Sequence, residues 1–98
     1  MPYITQDKRH KLDDAITQLS NVLNEELDVA DIEGNLNFTI TKLIDDHFSR
    51  TKVNYKKLNA MVGMLQCCQL ELYRKLAAPY EDMKAIENGV VLTSLNKI

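Results

Sequence analysis

The chain has little of what breaks, staples or specialises a polypeptide. Its 98 residues include three Gly, two Pro and no Trp. So few breakers exclude a collagen-like, linker-like or low-complexity protein. Gly34, Gly63 and Gly89 are too scattered to build a phosphate-cradling loop. The two cysteines, Cys67 and Cys68, are adjacent and cannot tie distant segments together, so no disulfide framework is encoded. No apolar run approaches the roughly 18 residues of a membrane span. The opening Met1-Pro2-Tyr3-Ile4-Thr5-Gln6-Asp7 leads into bases, acids and amides rather than a signal-peptide core. An excess of one charge sign is missing too. Twelve basic and fourteen acidic residues leave a net charge of −2, which selects neither nucleic acid nor an anionic membrane. These absences predict a reduced, cytoplasmic chain with no membrane association.

What is present is helical patterning in a length that suits a single domain over residues 1–98, with 1–5 as an N-terminal arm and 90–98 as a tail. Leu12, Ile16, Leu19, Leu23 and Leu27 form one helical stripe, predicting a first helix over residues 6–26 with Thr5 as its N-cap. Residues 25–33 hold five acids and no base, and read as a loop closed by Gly34. Asn35 then caps a second helix whose apolar face is Leu36, Ile40, Leu43, Ile44 and Phe48. The brief alternation Leu36, Phe38, Ile40 suits a strand, but the longer period to Phe48 favours helix. Asn54 caps a third helix over 55–77, with Leu58, Met61, Val62, Leu65, Leu72 and Leu76 as its main stripe. Pro79 is expected to break or kink the chain, leaving a short fourth helix over 79–87 that stops at Asn88-Gly89. The fold class is all-α, with three main helices and a short C-terminal one.

The third helix is apolar nearly all round. Ala60, Gly63, Met64, Cys67 and Leu70 line a second face of small and apolar residues, which predicts burial on more than one side. Mid-helix glycine costs about 1 kcal/mol relative to alanine. Close approach of another helix at Gly63 would offset that cost, so this face is expected at a homo-oligomer interface, most simply a dimer.

Catalytic and metal chemistry find no support. His10 and His47 lie far from the cysteines and match no zinc spacing. No serine sits in a nucleophile elbow. Asp13-Asp14 and Asp45-Asp46 read as solvated helix edges. No catalytic residue, metal or cofactor is expected. Two basic clusters stand out: Lys8, Arg9 and Lys11 with His10, and Arg50, Lys52, Lys56 and Lys57. Together they would make a cationic patch; separately they are ordinary solvated faces, and nothing accompanying them points to duplex DNA. The block Tyr73, Arg74, Lys75, Tyr80, Lys84 and Asn88 is the candidate ligand site, because two rings can stack a base while Arg and Lys pair with phosphate. The same residues also read as structural, with a tyrosine anchoring the short helix and an Arg–Glu pair fixing the kink.

The run Leu70-Glu71-Leu72-Tyr73-Arg74-Lys75, followed by Ala78-Pro79-Tyr80-Glu81-Asp82, Lys84, Ile86 and Glu87-Asn88-Gly89-Val90, carries a resemblance. Together with Met1-Pro2-Tyr3-Ile4, Gly34, Leu36-Asn37-Phe38 and Ile40-Thr41, it resembles a family of small, largely uncharacterised proteins from phages and prokaryotes. That family usually has an aspartate directly after the Asn-Gly pair. Val90 stands there in this chain, so no carboxylate role carries over. The resemblance spans nearly the full length and implies origin and architecture more than activity. With it, the expected function is a non-enzymatic, phage-type binding protein that captures or blocks a host component, specifically by sequestering a nucleotide-derived immune signal. The alternative is a protein–protein inhibitor working through an exposed helical face, and a small enzyme comes third.

Overall fold

The computed structural model describes residues 1–94, so the expected tail over 90–98 lies partly outside the described residues. Helix α1 (Gln6–Asn21) runs into a π-wound turn (Val22–Glu26). A 3₁₀ turn (Val29–Asp31) leads into α2 (Ile32–Ser49), and α3 (Tyr55–Leu72) follows after a short connection. A second π-wound turn (Tyr73–Ala77) leads into α4 (Ala78–Asn88). No strand occurs among the described residues, so the alternation at Leu36, Phe38 and Ile40 yields to the helical period. The chain divides into two compact units, one over Pro2–Leu58 and one from Asn59 onward.

In the first unit, Thr5 occupies the N-cap position of α1 with extended backbone, but its side chain makes no capping hydrogen bond. Its hydroxyl serves Asp7 instead and holds that carboxyl below the usual carboxylate range. The expected Thr5 cap is therefore corrected: the hydroxyl is diverted to an acid two residues on. The Arg9 guanidinium donates to the Ile4 carbonyl at 2.8 Å and pins the arm against the helix start. The first helical span ends at residue 26, as its stripe predicts, but the last turn is π-wound and Leu27 N–H donates to Val22 at 3.0 Å. The wider winding rotates Leu23 inward, where the turn packs against α2 and the 3₁₀ turn. Leu23, 6% exposed, is the one buried hydrophobic side chain among the described residues, and none is fully buried. α2 meets the first helical span only at this π-wound end.

The second helix starts earlier than expected. Asp28 accepts from Ala30 N–H at 2.9 Å and initiates the 3₁₀ turn, and α2 begins at Ile32, so Gly34 and Asn35 lie inside the helix rather than before it. Asn35 is no cap; its carbonyl accepts from the Thr39 hydroxyl at 2.8 Å. Acids at positions 28, 31 and 33 suit the positive end of the helix dipole, which explains why an acidic stretch read as loop becomes a helix start. At α3, Asn54 does what the sequence predicts: its carbonyl oxygen Oδ1 accepts from Lys57 N–H at 2.9 Å.

In the second unit Pro79 sits in the first turn of α4, as expected of a proline at a helix start, but the chain does not break there. Proline lacks an N–H and its ring crowds the carbonyl four residues back. Here the preceding turn is π-wound, with Ala78 N–H donating to Tyr73, and the wider register relieves that crowding. The backbone stays right-handed helical through Leu72, Ala77 and Ala78, so α4 continues from α3 through this turn. It ends as predicted, with Gly89 at φ +93° and its N–H donating to Ala85 at 2.9 Å.

Candidate functional site

The six residues of the C-terminal block lie on one stretch of helix, and three of them are held by local carboxylates. The Tyr73 hydroxyl donates to Glu81 Oε2 at 3.2 Å across the π turn. That bond and the carboxylate charge hold the phenol pKa above the ordinary tyrosine value. Arg74 donates to both carboxylate oxygens of half-buried Glu71, at 3.2 and 3.0 Å. Lys84 donates to Glu87 at 3.1 Å, and its ammonium stands 5.7 Å from the centroid of the Tyr80 ring. The Tyr80 residue itself is 59% exposed. Local contacts divide the block in two. Tyr73 and Arg74 tie the π turn to its neighbours, while Tyr80 and Lys84 present a ring and a cation together.

Beside them lies a concavity of ≈ 570 Å³, walled by Glu81, Asp82, Lys84, Ala85, Asn88, Gly89 and residues 90–92. Two of the six predicted residues, Lys84 and Asn88, line it. The contribution of residues 90–92 was missed from sequence. The signal was available, since a Val-Val-Leu run directly after an Asn-Gly stop leaves apolar side chains next to the last helical turn. The chemistry is mixed: an ammonium, an amide and apolar walls are joined by the carboxylates of Glu81 and Asp82, and the Tyr80 ring lies outside this lining, near the Lys84 ammonium. Such a wall disfavours a bare phosphate.

The seven cations of the expected patch all fall in the first unit. Arg9 is held by the Ile4 carbonyl, Arg50 pairs with Asp46 at 2.9 Å, and Lys57 donates to the Lys52 carbonyl at 3.0 Å. Lys8, Lys11 and Lys56 are exposed. No recorded interaction joins the two clusters among the described residues. The expected interface face on α3 is open. A side chain added at Gly63 would meet nothing within 4 Å, and Cys67 and Cys68 are exposed free thiols. Cys68 Sγ donates weakly to Met64 Sδ at 3.7 Å. A second concavity of ≈ 520 Å³, also missed, is lined by Glu33, Gly34, Asn37, Phe38 and Thr41 on α2. No group of three or more His, Cys, Asp or Glu that could hold a metal ion occurs among the described residues. No helix among them is long and apolar enough to cross a membrane.

Residues 1–91 match the family described as a domain of unknown function (DUF6899). The chain belongs to that family. No curated protein and no solved structure matches it.

Proposed function

For this member of the DUF6899 family, we propose a non-enzymatic binding role, in which the chain captures a host component through the C-terminal block. The finer reading is sequestration of a nucleotide-derived signal. The observation that supports it is the Tyr80–Lys84 pair: an exposed ring with an ammonium 5.7 Å from its centroid, contributed by a lysine that lines the ≈ 570 Å³ concavity. A base stacks on Tyr80, Asn88 reads its edge, and Lys84 exchanges Glu87 for a ligand anion. Glu81 and Asp82 favour a ligand whose charge is spread or partly neutralised, as in cyclic nucleotides with single-charged linkages, over a triphosphate.

Titrating the full chain with cyclic and linear nucleotides by calorimetry tests this. The expected result is saturable heat with at least one cyclic member, lost in Tyr80→Ala and weakened in Lys84→Ala. No heat and no thermal shift across the panel would remove the nucleotide reading.

A second reading, protein–protein inhibition, draws on the α2 concavity, where Phe38 stands 69% exposed. A stoichiometric protein partner lost in Phe38→Ala, with no nucleotide retained, would favour it.

A further inference from the structure

Three sulfur-bearing side chains fall on one turn of α3. Met64, Cys67 and Cys68 stand at positions i, i+3 and i+4, which a helix places within an arc of about 100° on one face, with Met64 between the two cysteines in projection. Cys68 Sγ lies 3.7 Å from Met64 Sδ, and both thiols are free. The grouping sits within a single turn of a single helix, so it depends on the local backbone alone.

The neighbouring residues decide which chemistry suits it. The Cys67 and Cys68 side chains leave the helix about 100° apart, too divergent for the short sulfur–sulfur bond of a disulfide while α3 stays helical. A metal ion held between two sulfurs spans a wider gap than that bond. Residues 58–70 contain no Asp, Glu, His, Lys or Arg, so the stretch supplies neither carboxylate nor imidazole. No third Cys, His or carboxylate gathers with the pair among the described residues. That leaves out the four-ligand zinc set and the oxygen ligands of magnesium and calcium. Two thiolates and a thioether are soft ligands, the kind that select Cu(I). Distance agrees. With metal–sulfur bonds of about 2.3 Å, two ligating sulfurs at a tetrahedral angle stand about 3.8 Å apart. The observed 3.7 Å needs almost no adjustment.

We infer that Met64, Cys67 and Cys68 form a site for one cuprous ion. Binding replaces two S–H bonds by two S–Cu bonds and releases both protons, while the thioether adds a lone pair and no electron is transferred. The inference stands whatever the ligand of the C-terminal block.

The test offers the reduced full chain, without oxygen, a cuprous ion held by a chromogenic chelator of known affinity. The expected result is one Cu(I) drawn from the chelator per chain, with two protons released. Cys67→Ser and Cys68→Ser are each expected to abolish the transfer, and circular dichroism distinguishes a lost site from a lost helix. Met64→Leu keeps both thiols and a good helix former, so it separates a three-sulfur site from a bare pair of cysteines. It should weaken binding by about tenfold or more, at least what the loss of an outer-shell partner costs a metal site. The inference is overturned if the chelator keeps the copper, if either serine variant binds as tightly as the unaltered chain, or if Met64→Leu leaves the affinity unchanged.

Discussion

The two units of the chain differ in what holds them. The first has a nucleus: a π-wound turn carries Leu23, packed against α2 and the 3₁₀ turn, and the Asp28 side chain braces the chain beside it. The second has helix continuity and surface carboxylate pairs, with no fully buried side chain among its described residues. Exposed pairs of this kind are worth roughly 0–1 kcal/mol each. Packing of an apolar face supplies most helical stability, and continuity of the helix does not replace it. The difference teaches that the second unit rests on local helix bonding, whereas the first has some burial of its own.

The largest expected effect separates the units directly. Leu23→Ala should cost about 2–5 kcal/mol, the usual range for a buried leucine, read from urea denaturation. Leu65→Ala on α3 is the matched probe. At 39% exposure the side chain has little to lose within one chain, about 1 kcal/mol. A loss as large as that of Leu23→Ala would show that Leu65 is buried by something outside its own unit.

Two glycines give the next contrast. Gly89 stands at φ +93°, where a side chain is strained, so Gly89→Ala should cost about 1–3 kcal/mol and fray the end of α4. Gly34 lies in the first turn of α2 with no atom within 4 Å of an added Cβ, so Gly34→Ala should gain about 0.4–1 kcal/mol. Opposite shifts in thermal midpoint check both. The helix starts come next. Asn54→Ala removes a working cap and should cost about 1 kcal/mol, while Thr5→Ala, whose hydroxyl serves Asp7, should cost only a few tenths. Thr5→Val should also raise the Asp7 pKa toward its ordinary value, measured by NMR titration.

Much of the architecture was legible because periodicity reports on the backbone alone. The spans 6–26 and 55–77, the Asn54 cap and the Asn88-Gly89 stop needed only local rules. The errors came where a local rule met a competitor. Pro79 was expected to break or kink the chain, and a π turn carries the helix into the first turn of α4, where the proline sits. Asn35 was expected to cap, and acids further upstream start the helix first. The candidate site was legible as a residue list, but not as an arrangement. Sequence proposes Tyr73, Arg74 and Lys84 as ligand groups; it cannot show that each already holds a carboxylate, since those pairs depend on the register set by the π turn. Nor does periodicity report a concavity formed by residues 90–92, which lie outside any helix.

The smallest expected effect bears on the site itself. The Tyr73 pKa is raised by Glu81, so its folded value lies above the ordinary value of 10.0. Any stability from this bond is fully present below that value and is lost as pH rises through the higher folded one. NMR titration of the Tyr73 ring across the alkaline range should show it ionising above the ordinary value. Glu81→Gln should return it toward that value. If Tyr73 ionises at its ordinary value in the unaltered chain, the Tyr73–Glu81 bond is not held in solution. Because Glu81 also walls the concavity, an anion bound beside Lys84 places further negative charge near the phenol and moves its titration higher still. Repeating the titration with a cyclic nucleotide therefore tests the site through a residue the ligand need not touch. A late step that moves in the unaltered chain and stays still in Tyr80→Ala ties the binding to the exposed ring, and the reverse pattern would separate the two.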